Sequence, residues 1–192
     1  EFTRLARSYE VDDIIAVATA ATREATNQRA FIRQLQRDAN IDVRVVSGPE
    51  EARLIYLGVS SGVHLGEKQA FFLDIGGGST EMIVGTQHQY RYLNSLKLGA
   101  IRLGNRFLAK AQEPVSPALY SRIKGYVKQH TVHAVRELRG YRLEMAIGSS
   151  GTIENLADIA ARQFFKRRLQ RDDSLSYVHL KQVIKMLAAL PL

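Results

Sequence analysis

The chain has 192 residues, 45% hydrophobic and 24% charged, a globular composition that argues against disorder. It holds no cysteine, which excludes disulfides, zinc-thiolate sites and a cysteine nucleophile. Lysine and arginine number 27 against 19 aspartates and glutamates, a net +8, which favours an anionic partner: nucleic acid, a membrane surface or a phosphate compound. The apolar runs fall far short of a membrane span. No basic cluster precedes a secretion-type apolar core, so cytoplasm is the default compartment. At roughly 150 residues per domain, the length allows one large domain or one and a half smaller ones.

Glu1–Tyr9 reads as the tail of a helix. The β-branched run Ile14–Ala18 predicts a buried strand leading into a polar loop, Thr19–Arg23. Ala30, Phe31, Leu35 and Ala39 define one face of a helix from about Asn27. Val43–Val46 is a second strand, and Ser47-Gly48-Pro49-Glu50-Glu51 opens a second helix. This strand–helix alternation predicts an α/β layer with parallel pairing.

The pattern lapses near Gly58–Lys68, a candidate hinge. Ala70–Ile75 and Ser79–Gly85 then form a hairpin closed by Gly76-Gly77-Gly78, and a strand near Tyr90–Leu98 extends it to a meander. Helices follow at about Ile101–Lys110 and Pro117–Leu138, the second with Leu119, Ile123, Val127, Ala134, Val135 and Leu138 at helical spacing. Met145–Ile147 is a further strand, and Gly148–Thr152 leads into a helix through Arg162. The last helix, about Ser176–Leu190, should bury Leu180, Ile184 and Leu187.

The most informative segment is Asp74-Ile75-Gly76-Gly77-Gly78-Ser79-Thr80. A strand delivers a carboxylate to a loop without Cβ atoms, whose N–H groups can gather round one anion, with the Ser79 and Thr80 hydroxyls as added donors. Asp74 would repel bare phosphate, so it needs a metal ion or a water between them. The alternative is a tight turn whose acid only hydrogen-bonds the loop. Gly148-Ser149-Ser150-Gly151-Thr152 lies between a strand and a helix, where free N–H groups and a positive dipole end suit phosphate. Glycine and serine also occupy such loops for geometric reasons alone.

With Ser47 as N-cap, Glu50 at N3 would complete a capping box. Glu51 has no such duty and stacks with Leu54, Ile55 and Gly58, so it should face a cleft unless it merely favours the helix dipole. Arg23 lies just past the Ile14–Ala18 strand, where open α/β sheets place their ligand crevice, and suits bidentate phosphate contact. A solvated surface arginine reads equally well. His130 and His133 lack a third ligand at metal-site spacing. Lys166, Arg167, Arg168 and Arg171 beside Phe164 and Phe165 form a basic run without a nucleic-acid motif.

Four motifs in order resemble the exopolyphosphatase/guanosine pentaphosphate phosphohydrolase (Ppx/GppA) family: Ala18–Asn27, Ser47–Leu54, Asp74–Glu81 and Gly148–Thr152. The resemblance implies the actin-like, ribonuclease H-like ATPase superfamily fold, with two domains closing over a phosphoanhydride chain and Mg2+ as the usual ion. It implies residues 1–68 as the latter part of domain one and 69–192 as domain two. The family's first phosphate loop has no counterpart, so the chain reads as a fragment. By resemblance Glu51 is the general base, and Arg23, Gly76, Gly77, Gly78, Ser79, Ser150, Gly151 and Thr152 bind phosphate. Asp74 and Glu81 match metal-binding positions, although a simple hairpin register puts Glu81 on the face opposite Asp74. The implied activity is hydrolysis of terminal phosphate from polyphosphate or of the 5′-γ-phosphate of pppGpp, with no membrane or specific nucleic acid involved. An ATP-dependent kinase or ATPase of the superfamily and a non-catalytic polyanion-binding regulatory module are the rivals. Oligomeric state stays open, a homodimer included.

Overall fold

Short β-branched runs and longer amphipathic stretches alternate along the chain, and a computed structural model describes their packing for residues 2–109 and 114–190. The elements are α1 (Phe2–Ser8), β1 (Ala16–Ala18), α2 (Ala20–Arg23), α3 (Gln28–Ala39), β2 (Val43–Val45) and α4 (Gly48–Gly62), followed by β3 (Ala70–Ile75), β4 (Thr80–Gly85), β5 (Tyr90–Leu96), α5 (Ala100–Phe107), α6 (Pro117–Leu138), β6 (Met145–Ser149), α7 (Ser150–Phe165) and α8 (Tyr177–Ala188). Lys110 and Glu1, which the sequence assigns to helices, lie outside the described residues. None of the described helices is long and apolar enough to cross a membrane.

Strands β1 and β2 pair in parallel, joined through α2 and α3. The second sheet has the order β5-β4-β3-β6, with β3 antiparallel to β4 and parallel to β6. A parallel neighbour requires a long crossover, and α5 and α6 supply it. Helix α4 crosses from the first sheet to the second. Its Ala52 and Tyr56 join Leu65, Ala70, Phe72 and Ile83 in the core. The Tyr56 ring meets Phe72 edge-on at 5.4 Å, and its hydroxyl donates to the Thr86 carbonyl at 2.8 Å, so a large apolar body is buried without orphaning its polar end.

Several boundaries differ from the sequence reading. The first strand is only Ala16–Ala18, since Ile15 stays 84% exposed, and Thr19–Arg23 winds into α2 instead of a loop. On α8 the buried residue is Val183 rather than Leu187, which is exposed. Two of the residues at helical spacing on α6 also diverge: Ala134 is buried while Val135 is exposed. Helical spacing identifies the stripe but does not fix which edge of it is covered.

Candidate functional site

Register on the second sheet sets the first part of the site. Gly76–Ser79 connects β3 to β4 so that Ile75 pairs with Thr80 and Asp74 with Glu81. Directly opposed residues project from the same face, so Glu81 shares a face with Asp74. This corrects the opposite-face expectation. Ser149 of β6 aligns with Asp74 and Ser95 of β5 with Glu81. One row across the sheet therefore reads Ser95, Glu81, Asp74, Ser149. The two serines serve the two acids: Ser149 Oγ donates to Asp74 Oδ2 at 2.8 Å, and Ser95 Oγ to Glu81 Oε1 at 2.7 Å.

Glu81 is 1% exposed. Burial, followed by the negative charges of Glu51 and Asp74, pushes its carboxyl above the ordinary range, against the opposing pull of the Ser95 and Ser79 hydroxyls. Three acids thus share one neighbourhood, and the cation paired there is Arg23.

The glycine loop is held from one side. The Gly76 and Gly77 carbonyls accept from the N–H groups of Ala100 and Arg102 at 2.9 and 3.1 Å. The Gly78 carbonyl accepts from Arg102 Nε at 2.7 Å. In a trans peptide C=O and N–H point in opposite directions, so the N–H groups of Gly77, Gly78 and Ser79 point away from α5. None of those three has a backbone acceptor among the described residues. This is the arrangement an anion nest needs. No left-handed backbone is involved, for Gly66 is the glycine with positive φ among the described residues. The missing Cβ atoms allow close approach instead. At Gly78 a Cβ would stand 2.7 Å from Ala20 Cβ, and at Gly99 one would stand 2.2 Å from the Gly77 oxygen.

The Thr80 hydroxyl is engaged within the fold and does not face the glycine loop's anion side. Thr80 Oγ1 donates to the Leu98 carbonyl at 3.0 Å, tying β4 to the turn before α5. Ser79 is buried, and its hydroxyl lies close enough to Glu81 to pull that carboxyl downward.

Arg23 closes α2, and Glu51 lies in the first turn of α4. Arg23 Nη1 donates to Glu51 Oε2 at 2.9 Å and to the Val46 carbonyl at 2.7 Å. Glu51 therefore faces the neighbourhood of Arg23 and Glu81, while Leu54 of the same helix is exposed. Glu50 divides its duties differently from a full capping box. Ser47 Oγ accepts from the Glu50 N–H at 3.3 Å, but the Glu50 carboxylate turns to Arg53, with bonds of 2.8 and 3.0 Å. That bidentate pair is stronger than a single bond back to Ser47.

The second loop closes the site at the start of α7. Ser150 adopts a left-handed φ of 71° and donates through Oγ to the Ile75 carbonyl at 2.9 Å. A non-glycine residue in that region is strained and needs its surroundings to hold it. Ser149, the N-cap, spends its hydroxyl on Asp74 and leaves the first turn of α7 without a side-chain cap. The free N–H groups of that turn, where Gly151 and Thr152 sit, begin at the end of β6 beside Asp74.

Among the described residues no group of three or more histidines and acids converges closely enough to cage a metal. Asp74 and Glu81 nevertheless fit Mg2+, which keeps several waters and takes one or two carboxylates with substrate phosphate. Burial, and after it the charges of Glu51 and Asp74, disfavour the ionised form of Glu81, a cost that a divalent cation would relieve. Sequence reasoning missed Ser95, Ser149 as a partner of Asp74, and Arg102. Only Arg102 left a signal: a cation in the first turn of α5 opposes the helix dipole.

The profile of the Ppx/GppA phosphatase family matches residues 1–191. Over 162 residues, 84% of the chain, it is 31% identical to the guanosine-5′-triphosphate,3′-diphosphate pyrophosphatase of Aeromonas hydrophila. The crystal structure of an exopolyphosphatase from Cytophaga hutchinsonii superposes on 99% of the chain with a TM-score of 0.89 at 27% identity. The Aquifex aeolicus Ppx/GppA family member also superposes on 99% of the chain, with a TM-score of 0.73 at 25% identity. The chain spans 32% of the Aeromonas protein, 61% of the Cytophaga structure and 60% of the Aquifex structure.

Proposed function

The chain belongs to the Ppx/GppA phosphatase family, and we propose that it carries much of an apparatus that hydrolyses a terminal phosphoanhydride bond, of inorganic polyphosphate or at the 5′-γ-phosphate of pppGpp. The observation that carries this reading is the meeting, at one end of the second sheet, of a glycine loop with outward N–H groups, an uncapped helix start and the acids Asp74, Glu81 and Glu51 beside Arg23. Related proteins bear both an exopolyphosphatase and a guanosine pentaphosphate name, so both substrates stand in the proposal.

Positioning and electrostatics dominate phosphoryl transfer. The N–H groups of Gly77, Gly78 and Ser79 and the first turn of α7 hold phosphate oxygens. Arg23 exchanges its bond to Glu51 for one to the terminal phosphate. Glu51, the carboxylate so released, accepts a proton from the attacking water. Asp74 and Glu81 would hold Mg2+, which when bound offsets the charge on the phosphate. Residues 1–68 and 69–192 would belong to two domains, with α4 crossing between their sheets.

The test is Mg2+-dependent phosphate release by the complete protein from polyphosphate, pppGpp and ATP in parallel. Release from polyphosphate or pppGpp supports the reading. Turnover of ATP alone favours a kinase or ATPase, and tight polyphosphate binding without release favours a regulatory module.

A further inference from the structure

Arg102 touches three things at once. Its backbone N–H donates to the Gly77 carbonyl at 3.1 Å. Its Nε donates to the Gly78 carbonyl at 2.7 Å, and its Nη2 to Glu24 Oε1 at 2.8 Å. Glu24 directly follows Arg23, the arginine paired with Glu51. One guanidinium therefore links the glycine loop of the second sheet to the α2 turn beside the first. The two segments also touch directly, because a Cβ on Gly78 would stand 2.7 Å from Ala20 Cβ. Lys97 adds a longer contact to Glu24 at 3.4 Å.

The placement runs against local preference. Arg102 sits in the first turn of α5, where the dipole disfavours a cation and no acid accompanies it. Local rules are broken at functional or strained sites when a tertiary contact compensates, and here the compensation is the Gly78 carbonyl and Glu24.

We infer that Arg102 is a positioning residue: it orients the peptide of Gly78 so that the Ser79 N–H faces the phosphate, and it fixes the distance from that loop to Arg23. This rests on the proposed phosphate-binding role of the loop. A charged donor at 2.7 Å on the Gly78 carbonyl holds the 78–79 peptide plane, whose N–H lies opposite. The Glu24 arm, about 30% exposed at both ends (31% and 28%), contributes less, since solvent screens it.

The experiment uses the complete protein and the variants Arg102→Ala, Arg102→Lys, Glu24→Gln and Arg102→Ala with Glu24→Gln. Two readouts are taken: kcat and KM for phosphate release, and loop exchange, the hydrogen exchange without substrate of the two bonded amides that hold the glycine loop, Gly76 N–H on the Ser79 carbonyl and Ala100 N–H on the Gly76 carbonyl. Hydrogen bonds from charged groups contribute about 1.5–3 kcal/mol, so Arg102→Ala should cut kcat/KM by about ten- to a hundredfold and raise loop exchange. Arg102→Lys, which keeps the charge and one donor, should recover part of both. Glu24→Gln should cost at most a few-fold. The double variant should fall no further than Arg102→Ala, because both losses remove one link. Parental loop exchange in Arg102→Ala overturns the inference, with or without measurable turnover. Equal defects in Arg102→Ala and Arg102→Lys with parental loop exchange do so as well. If the parent releases no phosphate from polyphosphate or pppGpp, the hydrolase reading fails, and exchange alone decides whether Arg102 orders the loop.

Discussion

Glu50 and Glu51 are adjacent in the first turn of α4 but pair with different arginines, Glu50 with Arg53 of its own helix and Glu51 with Arg23 of α2, which makes the pair a sharp test. Glu51→Gln keeps the volume and an oxygen that can accept from Arg23, but an amide cannot take a proton from water. A positioned general base is worth roughly 10²–10⁴ in rate, which at about 1.4 kcal/mol per decade is about 2.8–5.6 kcal/mol of barrier. The cost to folding is much smaller. Arg23 keeps its 2.7 Å bond to the Val46 carbonyl, and replacing a charged acceptor by a neutral one forfeits on the order of 1 kcal/mol. The variant should therefore fold. It should bind substrate as well as the parent does, since Arg23 is released more easily to phosphate.

Glu50→Gln should behave in the opposite way. Its N–H still donates to Ser47 Oγ, and what it loses is a partly exposed pair with Arg53 and a longer contact to Arg44, so helix stability declines slightly and turnover stays intact. The assay is steady-state phosphate release by the complete protein, with thermal unfolding run alongside. Loss of turnover in Glu50→Gln with Glu51→Gln unaffected would falsify the assignment of the base. Intact turnover in both would place the base on another residue.

Three further expectations follow from the same contacts. Glu81→Gln should raise the urea midpoint in EDTA, because it removes a buried charge flanked by two acids. Mg2+ should raise the midpoint of the parent and leave that of the variant unmoved, a gain of about 2.7 kcal/mol at a hundred times Kd; equal Mg2+ responses would remove Glu81 from the cation site. Gly99→Ala drives a Cβ into the Gly77 backbone at 2.2 Å, whereas Gly77→Val directs its Cβ at the movable end of Ile101, 3.0 Å away, and not into the nest. Gly99→Ala should thus weaken polyphosphate binding more, and the reverse ranking in a titration would refute this account of the loop. Arg167 holds the Asp173 carboxyl at about 2, below the ordinary 3.8. The stabilisation is complete above pH 3.8 and is lost as pH falls toward 2, so acid should loosen the turn after α7 in the parent but have no such effect in Asp173→Asn, as read by exchange of the Gln170 amide, which donates to Asp173 Oδ2.

How much of this was legible in the sequence depends on how far apart the interacting residues lie. Gly76–Gly78, Gly148–Thr152 and the Ser47 cap announce themselves, because turn chemistry is written in consecutive residues. The face of Glu81 was misread because a register depends on how many residues the loop consumes. Four residues, Gly76–Ser79, bring Ile75 opposite Thr80 and hence Asp74 opposite Glu81, while a loop one residue longer or shorter would have reversed the face. Ser95 and Ser149 are ordinary serines until the sheet order β5-β4-β3-β6 sets them at the two ends of one row. Arg102 lies 24 residues from Gly78 and 78 from Glu24, separations that no local pattern spans. What the sequence does carry for Arg102 is a conflict, a cation at the positive end of a helix. Such a conflict marks where tertiary structure has overruled local preference, and in this fold it marks the arginine that ties the glycine loop to Glu24.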